Sequence, residues 1–402
     1  MKAIRIIMVF CLFVSLGVIA RADLLLLPEN LTEINPYAFA GDESITEVAL
    51  GKDVVAIGEG AFSGCINLKR VVVNNHGSAA VGATAFPEGV AFYAANDAIA
   101  SFKEQGGYFK GFQALLVGQT YHLEFDEEGY VIQGLPGCDK DVETMKVLLE
   151  TLGLTKYDPV TAQVDETRAD AEVELKRLAE NATEQSTTLF YFSGHGGEGG
   201  TLDFCDDEED IKPEKLRVLL DDISGQKIVL IDACYSGGMI GRGEGETTEQ
   251  FAESFLAAFT GSGMSPRSDN IFENDEGEYA VFVACREAEE SNSVPPTTDD
   301  GDYFGLFTEM LECAICMKGE TGRIAQWYVF PEFANTLVEN EVHPDSMRGD
   351  ADGDGLLTLS EAYGYVKNAI NLFSKEWNKW FLRIDQTVQV WPDNSNFVLF
   401  GR

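Results

Sequence analysis

The sequence predicts an α/β protein, a mostly parallel sheet sandwiched by helices and preceded by a small segment of repeats. Three observations carry this. Two short apolar runs, residues 188–193 and 227–232, each end in a glycine-rich turn, and runs this apolar read as strands buried on both faces of a parallel sheet. Between them, residues 212–220 have helical spacing, so the unit reads strand–helix–strand. Near the start, residues 34–39 recur as 57–62 and more weakly as 81–86, a period of about 23.

The elements follow in chain order. Residues 1–22 begin with Lys2 and Arg5, continue through an apolar run, and end in Ala20-Arg21-Ala22. Charged start, apolar middle and small-x-small end describe a secretory signal peptide, and the run is short for a spanning helix. A secreted or periplasmic protein is expected, with no transmembrane segment in the mature chain. The formal net charge of −38 over 402 residues argues against nucleic acid and anionic membrane surfaces as partners. It suits basic substrates and divalent cations.

Residues 23–96 read as leucine-rich repeats of a surface-protein type, with Ala-Phe marking each turn and strand-like segments at 45–50 and 68–73. One unit cannot cover its own apolar face, so neighbours must stack. Such a segment serves either as a docking surface for a protein partner or as a cap on the following domain; docking is the preferred expectation. Residues 97–112 look like a helical bridge, and 114–118 like the first strand of a second domain, 112–402. A helix is expected over 142–152, with Asp139 as N-cap and Asp141 in its first turn.

The two apolar strands end in Ser193-Gly194-His195-Gly196 and Asp232-Ala233-Cys234-Tyr235-Ser236-Gly237. In a parallel sheet the C-terminal strand ends share one edge, where ligand crevices form. A possible general base thus stands beside a possible nucleophile. The thiolate is the reactive form of cysteine, and a neighbouring imidazole raises its population. Glycine around the two residues lets substrate backbone approach closely. Either residue alone is more often structural; two at matching strand ends shift the balance toward catalysis.

These motifs resemble the His and Cys motifs of the caspase-like cysteine peptidases, most closely the metacaspase branch and its bacterial members. The likeness spans residues 112–400. It includes Leu135-Pro136-Gly137-Cys138-Asp139-Lys140-Asp141, the strand at 280–285 and the Gly305-Leu306-Phe307-Thr308 segment. The resemblance implies a caspase-like fold, a His195–Cys234 dyad, and a substrate pocket at Asp141, Ser193 and Asp232. Two carboxylates converging in one pocket need a cation between them, and a Lys or Arg side chain supplies it. Cleavage after Arg or Lys is the expectation, with the Gly196 and Cys234 N–H groups holding the oxyanion. Asparaginyl cleavage or transpeptidation of a legumain-like kind is the alternative. A non-catalytic calcium-binding adhesion protein is the alternative from another class. The acidic linker over 239–278 offers Arg242 and Arg267 as self-cleavage sites, as linkers of this family are cut in maturation.

Residues 350–361 carry a second signal. Asp350, Asp352, Asp354 and Glu361 occupy positions one, three, five and twelve of an EF-hand-like loop, with Gly355 at six. Leu356 would add its carbonyl, and Thr358 a direct or water-mediated contact, so calcium is expected as a structural clip, with an activating role as the alternative. The 206–210 acidic run stands where many metacaspases bind calcium, but the segment between His195 and Cys234 is shorter here and position 241 is Gly. That site is not carried over. Seven cysteines follow the leader, an odd number that leaves at least one thiol unpaired, with Cys234 the candidate. Cys313 and Cys316 suit core packing or one local disulfide. A last strand is expected at 386–390, followed by 397–400.

Overall fold

The computed structural model describes residues 24–28, 30–74, 77, 79–94, 98–102, 108–109, 111–122, 124–125, 131–205, 210–240, 278–294, 303–316, 347–379, 383–393 and 395–402. The leader, residues 206–209, Arg242 and Arg267 lie outside them. Six strands make the central sheet: β1 (Gly111–Gly118), β2 (Val160–Val164), β3 (Ser186–Ser193), β4 (Gln226–Asp232), β5 (Tyr279–Val283) and β6 (Gln389–Trp391). Their order is β2-β1-β3-β4-β5-β6. The first five run parallel, and β6 closes the edge antiparallel to β5.

Side-chain alternation along these strands sorts them into two cores. Leu116, Tyr191, Leu230 and Phe282 face one side, against helices α1 (Cys138–Thr151), α4 (Leu306–Ile315) and α5 (Leu359–Trp377). Val117, Phe192, Ile231 and Val283 face the other, against α2 (Arg168–Asn181) and α3 (Pro213–Asp221). Each of these large side chains contributes on the order of 2 kcal/mol by burial. Both faces being covered is the reason the strands read as continuous apolar runs.

The repeats form a second, five-stranded parallel sheet from Leu24–Leu26, Glu47–Leu50, Arg70–Val73, Ala91–Ala94 and Tyr108–Phe109. A ladder of two-residue strands, Glu33–Ile34, Ala56–Ile57 and Ala80–Val81, runs along the other side. Phe39, Phe62 and Phe86 stack face to face at 5.1 Å per step. Phe92 then meets Phe86 edge-on at 86°. Gly58 is obligatory, because a Cβ there would collide with the Pro36 backbone of the preceding unit.

The two faces of the repeat sheet pack into different cores. Val48, Leu50, Val71, Val73 and Phe92 point into the repeat core. The alternate residues Ala49, Val72, Ala91 and Tyr93 point the other way and join the core beneath α1 and α5. The strand face is therefore spent inside the chain, as a cap on the second domain.

Local differences have local causes. Among its described residues, the expected bridge over 97–112 holds one helical turn, Ile99–Phe102, and the strands Tyr108–Phe109 and Gly111–Gly118. The N-cap of α1 is Gly137 at φ 106°, not Asp139, which lies in the first turn beside Asp141. The final strand of the sheet is Gln389–Trp391, while Val398–Gly401 pairs with Leu356–Thr358 beside the acidic loop. All seven described cysteines are free, and Cys313 and Cys316 are buried in the core. Among the described residues no helix is long and apolar enough to cross a membrane.

Candidate active site

Strand register builds the site. β3 and β4 pair in parallel with Ser193 directly opposite Asp232 at their ends, and the Gly194 N–H donates to the Asp232 carbonyl at 3.2 Å. His195 and Cys234 each lie two residues beyond that pair, so the loops carrying them leave the sheet side by side. The loops then touch through backbone. A Cβ at Gly196 would collide with the Cys234 carbonyl, and one at Gly200 would lie 2.6 Å from the Met239 nitrogen. The glycines thus serve first to let the two loops meet, a reason different from substrate approach.

Cys234 is half-buried, and its thiol donates to the Ser291 carbonyl at 3.7 Å. Burial pushes the thiol up from its ordinary value, the Ser291 hydrogen bond opposes this, and the Glu290 and Asp232 charges add to the rise. The resting group is a thiol whose ionisation needs a base. Beneath it, Cys285 is pushed up to about 12, chiefly by burial. His195 is exposed. Its backbone N–H donates to the Tyr121 hydroxyl at 2.9 Å, and its ring packs on the Tyr121 ring at 4.6 Å.

Asp141, Ser193 and Asp232 come together, all buried. Ser193 Oγ donates to Asp141 Oδ2 at 2.9 Å. The first turn of α4 meets both acids. The Gly305 N–H donates to Asp141 at 3.1 Å, while Thr308 gives both its N–H and its hydroxyl to Asp232 Oδ2 at 3.0 and 2.8 Å. Ser291 Oγ donates to Asp232 Oδ1 at 2.6 Å. A helix N-terminus favours negative charge, so α4 stabilises two acids that belong to α1 and β4. A Cβ at Gly305 would collide with Asp232 and come within 2.9 Å of Asp141 Oδ2, so only glycine leaves the space between them open. Burial raises Asp232 above the ordinary carboxylate value, against the pull of these hydrogen bonds.

Ser291, Gly305, Thr308 and Tyr121 are site residues that sequence reasoning did not assign. Thr308 sat inside a quoted segment, read only as a helix opening; Ser291 stands in a loop with no local signal.

The acidic loop folds around itself. Oxygens of Asp350, Asp352 and Glu361 all lie within 4.8 Å of one another. Asp350 accepts from Gly353 and Gly355 N–H groups, and Thr358 and Glu361 form a capping box at the start of α5. Asp354 turns outward. Its Oδ2 accepts from Arg70 of the repeats at 2.8 Å, and Arg70 also pairs with Glu47. The Leu356 carbonyl belongs to the short strand paired with Val398–Gly401. Burial is the main cause that pushes Asp350 up to about 7 and Asp354 up to about 8.

The sequence profile described as Caspase domain matches residues 113–348, more than half of the chain. The BspA-type leucine-rich repeat region matches residues 23–89. No curated protein matches the chain. Among solved structures, caspase-1 from Spodoptera frugiperda aligns at 14% identity and a TM-score of 0.38, over 72% of this chain and 88% of that one. The structure of pro-Sf-caspase-1 aligns at 13% identity and 0.39, over 72% and 90%.

Proposed function

The chain belongs to the caspase-domain family of cysteine peptidases, and from that premise we propose that it is an exported cysteine endopeptidase cleaving after Arg or Lys. The observation that carries the reading is the pairing of Ser193 with Asp232, which sends His195 and Cys234 off adjacent strand ends. His195 takes the proton of the Cys234 thiol, and the thiolate attacks the peptide carbonyl carbon. The carbonyl electron pair moves to oxygen, held by the Gly196 and Cys234 N–H groups. Collapse breaks the C–N bond, and His195 returns the proton to the leaving amine. Water then attacks the thioester carbonyl and gives its proton to His195, the C–S bond breaks to release the acid, and His195 returns that proton to the Cys234 sulfur.

Specificity rests on Asp141 and Asp232. The donors named above for both acids are neutral, from Ser193, Ser291, Gly305 and Thr308. These donors orient the two carboxylates around the space that Gly305 leaves open. A guanidinium or ammonium from substrate is the cation that suits two such acids, and guanidinium matches carboxylates bidentately.

Calcium in the 350–361 loop is the second part of the reading. Asp350, Asp352 and Glu361 offer clustered hard oxygens, the donor type calcium prefers. The Leu356 carbonyl and Thr358 would add to the set, while Asp354 is engaged by Arg70 and the Leu356 N–H and would have to leave them to join it. The ion would supply positive charge to buried acids and clip the loop to α5. Export rests on the charged, apolar and small-residue pattern of residues 1–22.

Hydrolysis of short Arg-, Asn- and Asp-reporter peptides by the mature protein with calcium tests this. Arg cleavage that is lost in Cys234→Ala supports the dyad and the pocket together. Asn or Asp cleavage keeps the dyad and removes the pocket argument. No turnover on any peptide, even after limited proteolysis, leaves the calcium-binding adhesion protein.

A further inference from the structure

A catalytic imidazole must be held in one orientation, and in triads a buried acid bonded to the second ring nitrogen does this. Among the described residues nothing hydrogen-bonds to either ring nitrogen of His195, although its backbone is tied down. What meets the ring is Tyr121, with centroids 4.6 Å apart at a tilt of 38°. The Tyr121 hydroxyl accepts from the His195 N–H at 2.9 Å and donates to the Asp203 carbonyl at 3.1 Å. Asp203 in turn donates its N–H to the His195 carbonyl at 3.2 Å. The three residues close a ring of hydrogen bonds that fixes His195 on both sides of its Cα.

Tyr121 reaches this place by an unfavourable route. Tyr121 and His122 have φ of 56° and 57°, and Asp165 has 51°, a left-handed region that non-glycine residues seldom enter. One carboxylate holds the turn. Asp165 accepts from the N–H groups of Thr120, Tyr121 and His122 at 2.6, 3.0 and 3.2 Å, and from the Thr120 hydroxyl. Its own N–H donates to the Gly118 carbonyl at the end of β1, at 2.9 Å. Backbone strain of this kind persists only where surroundings over-determine it, and it gathers at functional sites. Burial, reinforced by the Asp203 charge, holds the Tyr121 hydroxyl far above its ordinary value, so it stays neutral.

We propose that Tyr121 is the positioning residue of His195, filling the place an acid fills in a triad, and that Asp165 builds the turn that delivers it. The aromatic face restricts the imidazole to orientations that lie against it. It also attracts the imidazolium formed when Cys234 gives up its proton. No second acid has to enter a site already crowded with Asp141 and Asp232. The inference rests on the His195–Cys234 dyad proposed above.

The test is Cys234 alkylation by iodoacetamide at neutral pH, followed by peptide mass spectrometry in the full chain. His195→Gln, Tyr121→Leu, Tyr121→Phe and Asp165→Asn are compared with the parent, each with its thermal midpoint. Tyr121→Leu should slow alkylation about tenfold or more, close to His195→Gln. Tyr121→Phe keeps the ring and should recover most of the rate. Asp165→Asn leaves every side chain of the hydrogen-bond ring in place, so it stands in if Tyr121→Leu does not fold. It should lose several-fold in rate and, on the cleaved reporter, lower kcat with KM unchanged. If His195→Gln alkylates as fast as the parent, the dyad itself fails and this inference falls with it. If His195→Gln is slow while folded Tyr121→Leu and Asp165→Asn match the parent, the dyad stands and the role given to Tyr121 is wrong.

Discussion

Asp141 and Asp232, beside the first turn of α4, and Asp350, Asp352, Asp354 and Glu361 in the acidic loop are two sets of carboxylates, all but the half-buried Asp352 buried, handled differently. The pocket acids are oriented by hydroxyls and by the N-terminus of α4. The loop acids are answered partly by backbone N–H groups and partly by a fixed cation, Arg70 on Asp354. Buried charge is costly unless it is paired or hydrogen-bonded. Neutral donors orient a carboxylate without themselves bringing a cation to it. A set with an internal cation couples its charge to another part of the chain, here the repeats. The first arrangement suits recognition, and the second suits architecture.

The strongest way to break this comparison is to neutralise the pocket. Asp232→Asn should lower kcat/KM on the Arg reporter by about a hundredfold or more, with little change in the thermal midpoint. A loss of folding with retained turnover would reverse the assignment of roles. The loop set should answer in the opposite currency. Arg70→Met leaves Asp354 buried beside its like-charged neighbours and should cost about 3 kcal/mol of stability without calcium. Denaturant unfolding checks this, and turnover per folded molecule should be unchanged.

Calcium sharpens the contrast. At a hundredfold excess over its dissociation constant it should stabilise the parent by about 2.7 kcal/mol. Differential scanning calorimetry with and without chelator would read this, and Glu361→Gln should abolish the rise. A rise that survives the substitution would place the ion elsewhere.

The smallest effect is the dependence on pH. Burial raises Asp232 in the folded chain, so the native state holds a proton that the unfolded chain has released. Between the ordinary carboxylate value and the raised one, apo stability should therefore fall as pH rises. Arg-reporter kcat/KM should climb through the same window, because the charged form binds the basic side chain. Asp232→Asn should flatten the activity curve and remove only its own share of the stability change, since Asp350 and Asp354 are raised as well. Curves that move in the same direction would exclude Asp232 as their common cause.

The legible parts of the molecule are those written in local signals. His195 and Cys234 follow apolar strands and precede glycines, and each lies two residues beyond the Ser193–Asp232 pair of β3 and β4. The loop motif is contained within twelve residues. By contrast, β2 was missed because it is an edge strand of half-exposed residues without an apolar run. Helix α2 was missed because only Ala171, Leu175 and Leu178 of its fourteen residues are buried. Asp139 looked like the cap of α1, yet Gly137 takes that position in a left-handed conformation. Gly305 meets Asp141 across 164 positions, and Arg70 meets Asp354 across 284. Such partners are fixed by the meeting of whole elements, and no window along the chain contains both. The repeats were legible as repeats, but what their second face covers depends on a domain that begins after them.

The stacked rings of Phe39, Phe62 and Phe86 set a direction of growth for the repeat array. Each step presents the same parallel face to the next at the same 5.1 Å, so the pattern can be copied indefinitely at its upstream end. Downstream it cannot, because Phe92 turns its edge to Phe86 and Phe102 packs against both. Extra units grafted ahead of Leu24 would lengthen the array without disturbing the second domain. The same units inserted after Phe86 would break the ring that terminates the stack and the junction it protects.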